Sequence, residues 1–308
     1  METKKENHFF EIARIGKRIT PWWAVIVLSI VFLFVGQFPG GILFYAVRYI
    51  WADQVAEMSA TIQGLIQAVL FVALYGPIAL LVWGWVAWYE KRPLWTLGLE
   101  VKSALMKYGR GVLVGLLMFA VAVGLLAFPG YVTLEQGDPG LQGVAALGGV
   151  LVVYLGWTLQ GPTEELLTRG WMLQAIGIRI RPWVGVLISA SLFSVMHILN
   201  ESFSWIAALN IFLVGLFYAL FVLWEEGIWG VCGMHAAWNW AQGNVFGFRV
   251  SGTTTLGGSL LRLKSIGPEI FTGGAFGPEG GVAVTVILLL SILATVWLLD
   301  RKNKPVLE

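Results

Sequence analysis

The chain has 308 residues, of which 57% are hydrophobic and only 12% charged, with a formal net charge of +2. Soluble domains are about one-quarter charged, so this composition excludes an ordinary soluble domain, and the small charge without a long basic run excludes a nucleic-acid partner. The single cysteine, Cys232, rules out a disulfide within the chain and leaves the redox compartment open.

A polar segment over 1–20, with Lys4, Lys5, Arg14, Lys17 and Arg18, precedes a first apolar run over 21–38. Its long charged lead and the lack of a small-residue cleavage site predict a retained span rather than a cleaved signal. Pro39-Gly40-Gly41 predicts a break, followed by an amphipathic surface segment over 42–63 that holds Arg48, Asp53 and Glu57. A second span is expected over 65–88, kinked at Gly76-Pro77. Basic residues then reach Arg110, before a third span over 111–128 and an acidic loop with Glu135 and Asp138. The fourth span begins near Gly143 and is expected to close at the Glu164-Glu165 patch. Further spans are expected over 183–199, 205–224 and 228–246, and a Gly-rich loop over 247–281 precedes the last at 282–299.

The expected fold is an all-α polytopic membrane protein of about eight transmembrane helices around a polar intramembrane site. Its organisation reads as a polar tail over 1–20, N-terminal helices over 21–142, a core over 143–246 that carries the polar patch, the Gly-rich loop over 247–281, and a last helix with a basic tail over 282–308. No internal repeat is apparent. An even number of spans puts both ends on one side, where fifteen of the 20 Lys and Arg fall; Arg48, Arg249, Arg262 and Lys264 lie opposite, and Arg169 is set apart in the patch. Cytoplasmic loops carry the excess of basic residues, so both termini are expected in the cytoplasm.

Ionisable groups at membrane depth are expensive and mark function. Glu164, Glu165 and Arg169 stand between strongly apolar runs, and two of the three histidines, His197 and His235, fall in apolar spans. Helix positions four apart share a face, so Glu165 can pair with Arg169 and His235 projects beside Asn239. Glu164, about 100° around the helix, is expected to point elsewhere and be free for a separate role. Taken singly, each residue has a blander reading: a structural ion pair, an interhelical hydrogen-bonder, a packing amide. Cys232, three residues before His235, and Met172, Met196 and Met234 read as core filler. Together, a carboxylate, two imidazoles and an amide on three helices make a general base with oxyanion donors, the set that suits attack of water on a carbonyl. No His-Glu-x-x-His helix or Gly-x-Ser-x-Gly elbow is present.

Three ordered motifs, Glu164-Glu165-Leu-Leu-Thr-Arg169, Phe193-Ser-Val-Met-His197 and His235-Ala-Ala-Trp-Asn239, resemble those of the CPBP family of intramembrane CAAX-type proteases and bacteriocin-processing (Abi) enzymes. The resemblance covers residues 145 to 245, and the eight-span layout is similar to the prenyl-protein endopeptidase branch. It implies Glu164 as the base that activates water, His197 as a second holder of that water, His235 and Asn239 as the oxyanion hole, and Glu165 with Arg169 as a supporting pair. The Gly-rich loop resembles a bacterial subgroup, which implies a bacterial cell membrane; a cap over the site is the one physical reading the loop offers, and its role stays open. No cofactor is assigned. The family's metalloprotease label keeps a zinc alternative open, with Glu164, His197 and His235 as ligands and water in the fourth position. Implied partners are the lipid bilayer and a membrane-anchored or membrane-apposed peptide substrate, reached through a cavity expected to open towards the cytoplasm. The competing readings are a catalytically idle scaffold or bacteriocin self-immunity protein, and a proton-relay transporter, which the lack of broken-helix pairs disfavours.

Overall fold

A computed structural model describes residues 7–303; Lys4, Lys5 and Lys304, counted above, lie outside the described residues. Eight principal helices carry the architecture: α1 (Trp22–Tyr45), α2 (Ala60–Gly84), α3 (Ala104–Ala127), α4 (Leu147–Glu165), α5 (Pro182–Val195), α6 (Trp205–Glu225), α7 (Trp229–Trp240) and α8 (Val282–Asn303). Among the described residues six spans are long and apolar enough to cross a membrane; the expected fifth and seventh, α5 and α7, are shorter. Exposed apolar side chains clothe the helices, among them Phe34, Val69, Leu117, Leu155 and Leu290. With no competing water in a bilayer, helices satisfy their own backbone groups, and the chain is an all-α integral membrane protein.

Aromatic side chains mark both ends of the bundle, Trp22, Trp23, Trp88 and Trp183 at one and Tyr45, Tyr49, Trp51 and Trp205 at the other, all exposed, as interfacial belts require. The close helix contacts are built on glycine. A Cβ on Gly111 of α3 would lie 1.9 Å from the Gly230 carbonyl oxygen of α7, and one on Gly149 of α4 would lie 2.2 Å from that of Ala60 in α2. Side chains there would hold the backbones apart, and between helices in lipid such close packing replaces the hydrophobic drive.

Three expected boundaries are corrected. Pro39 does not end α1, which runs through it and on as a π-helical turn to Ile50. Gly40 is the reason, since a Cβ there would meet the Ala73 backbone at 2.5 Å: contact with α2 outweighs local helix-breaking propensity. The surface segment expected over 42–63 is accordingly short, and α2 begins at Ala60. Most consequentially, the Glu164-Glu165 patch does not close the fourth span. The helix continues as a π-helical stretch, Leu166–Leu173, and then Gln174–Arg179. Glu164 is therefore fifteen residues, about 22 Å, short of that end at about 1.5 Å per residue.

Two short antiparallel strands, β1 (Val132–Leu134) and β2 (Leu263–Ser265), tie the α3–α4 loop to the Gly-rich loop. Beside them Arg262 Nε donates to Glu135 Oε2 at 3.0 Å, with Lys264 3.6 Å from Oε1; the Arg262 guanidinium holds this carboxyl below the usual carboxylate range.

Candidate active site

The polar cluster forms where α4 crosses α7. Gly161 permits the crossing, because a Cβ there would lie 3.0 Å from His235 Cγ and 3.1 Å from the Ala236 nitrogen. One hydrogen-bonded chain runs from α7 to α4: Asn239 Nδ2 donates to Gln160 Oε1 (2.9 Å), and Gln160 Nε2 donates to Glu164 Oε1 (2.8 Å). A second runs beside it. Glu165 Oε1 accepts from Arg169 Nη1 at 3.2 Å and lies 2.9 Å from His235 Nδ1. All these side chains are buried, and Glu165 and Arg169 are 0% exposed.

The two carboxylates thus serve one imidazole. Glu165 meets its Nδ1, while Glu164 Oε2 stands 3.8 Å from its Nε2. Glu164 does not point away, as helical periodicity alone suggests; the α4–α7 crossing sets His235 between the two acids. At 3.8 Å the Nε2 contact is too long for a hydrogen bond, and Glu164 Oε2 has no hydrogen-bond partner in the protein. Both Nε2 and Oε2 therefore keep a free valence beside a cavity of about 320 Å³ lined by Glu164, His197, His235 and Asn239.

His197 lies just past the end of α5, and its Nδ1 is 2.8 Å from the Phe193 carbonyl oxygen. A carbonyl only accepts, so Nδ1 carries the proton and Nε2 is the free nitrogen. Phe193, which opens the second motif, is the hub of the site. Its ring sits 4.3 Å from the Arg169 guanidinium carbon, 4.9 Å from the His197 ring and 6.0 Å from that of His235. Arg169 Nε and Nη2 have no hydrogen-bond acceptor, and an aromatic face worth about 2 kcal/mol to a desolvated cation offsets part of that deficit.

Four further polar residues join the site. Gln160 holds Glu164 Oε1, Thr168 Oγ1 accepts from Arg169 Nη1 at 2.7 Å, Tyr75 lines the cavity, and the Tyr218 ring packs 5.8 Å from that of His235. Gln160 stands four residues before Glu164, a legible i,i+4 signal; Tyr75 and Tyr218 carry no such sign. Cys232, Met172 and Met234 are buried core, and Met196 lines the cavity. No group of three His, Cys, Asp or Glu side chains placed to hold a metal ion occurs among the described residues, Glu164, His197 and His235 included.

A family model described as type II CAAX prenyl endopeptidase Rce1-like matches residues 146–241, a segment that holds Glu164, Glu165, Arg169, His197, His235 and Asn239. No curated protein and no solved structure matches the chain. The segment that builds the polar cluster is thus similar to an Rce1-like type II CAAX prenyl endopeptidase domain, and this match supports the resemblance to the CPBP family of CAAX-type proteases.

Proposed function

We propose that the chain is an intramembrane endopeptidase of the bacterial cell membrane, in which Glu164 activates water against a peptide bond of a membrane-anchored or membrane-apposed substrate. The observation that carries this reading is the free Oε2 of Glu164, buried at the cavity wall while Gln160 fixes the other oxygen. Oε2 takes a proton from water as the hydroxide oxygen bonds to the carbonyl carbon, and His197 Nε2 accepts from the same water. The carbonyl π electrons move to oxygen, where His235 Nε2–H and the second N–H of Asn239 Nδ2 receive the negative charge. As the tetrahedral intermediate collapses, the C–N bond breaks and Glu164 returns its proton to the leaving amine.

For Nε2 to donate while Nδ1 donates to ionised Glu165, the His235 ring must carry both protons. That state brings Glu164, Glu165, Arg169 and His235 to zero net charge, the arrangement a low-dielectric interior favours. Glu165 and Arg169 then do more than brace a helix, since they orient and charge an oxyanion donor.

The test compares new peptide N-termini in membranes of cells with wild-type protein and with Glu164→Gln at matched expression. Termini present only with the wild type are expected. Identical termini in both samples would sink the endopeptidase reading in favour of the idle scaffold or self-immunity protein.

A further inference from the structure

Where the cavity opens decides which peptides can reach Glu164. Its lining comes from the ends of the helices remote from the chain termini: Gln37 of α1, Gln67 of α2, Asn200 beyond α5, and Ser251, Thr254 and Glu279 of the Gly-rich loop. A second cavity, of about 740 Å³, adjoins it on that same face and shares Phe44, Gln67, Thr254 and Thr255 with it. Three of the four cations of that face, Arg48, Arg249 and Arg262, line this outer vestibule.

The opposite end is sealed. Between the cluster and the face that carries the termini, Trp171, Met172 and Leu173 are 0% exposed. Behind them lies a satisfied ionic plug. Glu90 accepts from Arg92 Nε (2.7 Å), Trp171 Nε1 (3.0 Å) and Thr20 Oγ1 (2.6 Å), and Arg92 Nη1 donates to Gln174 Oε1 at 2.8 Å. Gln174 Nε2 in turn donates to the Phe9 and Thr96 carbonyl oxygens, 2.9 and 2.8 Å away. A peptide entering from this face would have to break buried charge pairs, each loss being strongly destabilising.

The basic residues assign the faces. Among the described residues, Arg14, Lys17, Arg18, Lys91, Arg92, Lys102, Lys107, Arg110, Arg179, Arg181, Arg301 and Lys302 lie on the sealed side. Only Arg48, Arg249, Arg262 and Lys264 lie on the open one. The sealed face is the cytoplasmic one by this bias. The expected cytoplasmic opening is therefore reversed: it rested on a fourth helix that ends at Glu165, whereas that helix continues to Arg179.

We infer that the site opens to the extracytoplasmic face and takes peptide segments exposed on that side of the membrane, which excludes substrates confined to the cytoplasm. The substrate class rests on the endopeptidase reading; the sidedness does not. The test is thiol accessibility in whole cells, in a Cys232→Ala background with one new cysteine. Thr254→Cys reports the shared wall of the two cavities, and Lys102→Cys the sealed face. A membrane-impermeant maleimide should label Thr254→Cys in intact cells to the level reached after lysis, and Lys102→Cys only after lysis. The reverse pattern, or a Thr254→Cys thiol that reacts only after lysis, would overturn the inference. In the same cells, Glu164-dependent N-termini should fall in extracytoplasmic segments. Termini in cytoplasmic segments would overturn the substrate class and leave endopeptidase activity standing. Loss of every such terminus would sink the activity and the substrate class together, while labelling, which needs no turnover, still decides the side.

Discussion

Glu165→Gln separates the structural from the chemical task of the buried acid. The wild-type carboxylate serves Arg169 and His235 through one oxygen, and both members of its ion pair are 0% exposed. The amide is nearly isosteric but neutral, so Arg169 is left uncompensated. Breaking a buried pair in this way costs about 3–5 kcal/mol, and the retained amide oxygen and the Phe193 ring place the loss near the lower figure. The double variant Glu165→Gln/Arg169→Gln removes both charges and is expected to recover most of the stability, read as thermal unfolding in detergent. Turnover behaves differently. Without the carboxylate, His235 no longer holds a proton on both nitrogens, and loss of one oxyanion donor lowers kcat by about 10²–10³-fold. The double variant should therefore be stable and still slow in single-turnover peptide hydrolysis. Recovery of activity together with stability would reduce Glu165 to a structural brace and refute its role towards His235.

Asn239→Ala should lower kcat by about 10²–10³-fold with KM nearly unchanged, because a donor used only by the developing oxyanion stabilises only the transition state; a rise in KM alone would refute that role. Gly111→Val places a side chain where even a Cβ falls 1.9 Å from the Gly230 carbonyl oxygen, so folded protein should be absent from size-exclusion profiles, whereas Gly109→Val, in open space, should leave them unchanged. The Glu135–Arg262 contact is present above the ordinary carboxylate range and lost as pH falls through the depressed value. Proteolytic nicking of the 128–143 loop should rise in that acid window for the wild type and be pH-insensitive there in Glu135→Gln; because both side chains are partly exposed, the effect is modest.

Periodicity made part of the site legible. Glu165 with Arg169 and His235 with Asn239 share helical faces because a 3.6-residue turn requires it, and the same spacing links Gln160 to Glu164. The union of Glu165 with His235 was not legible, since it depends on where α4 meets α7 rather than on any local pattern. Tyr75 and Tyr218 are single aromatics in apolar helices and look like any other packing residue. Hydropathy made the six long spans legible, whereas α5 and α7, expected as spans, are shorter helices. The fourth span runs past its expected end, an expectation with a physical reason: two adjacent acids are expensive at membrane depth and suggest a helix end. Here the helix continues as a π-helical stretch, in which Thr168 Oγ1 donates to the Glu164 carbonyl oxygen and accepts from Arg169 Nη1.

One crossing point governs both hydrogen-bonded chains, which makes Gly161 the most economical perturbation of the whole site. A Cβ at this position meets His235 Cγ at 3.0 Å and the Ala236 nitrogen at 3.1 Å, so Gly161→Ala forces α4 and α7 apart by a few tenths of an ångström. That shift stretches the contact of His235 with Glu165 (2.9 Å) and of Asn239 with Gln160 (2.9 Å) together, while it removes no chemical group. Misplacement by about 1 Å can cost about 10²-fold in rate, and the smaller displacement here should lower kcat by about tenfold. Stability should change little, because overpacking by one methyl is relieved along two helix faces and alanine lifts helix propensity by about 1 kcal/mol over glycine. The same methyl at Gly124, where nothing lies within 4 Å, controls for propensity alone. Wild-type turnover in Gly161→Ala would mean that base and oxyanion donors are not held by this crossing. A tenfold loss beside an unaffected Gly124→Ala would locate catalytic geometry in the contact of two helix backbones.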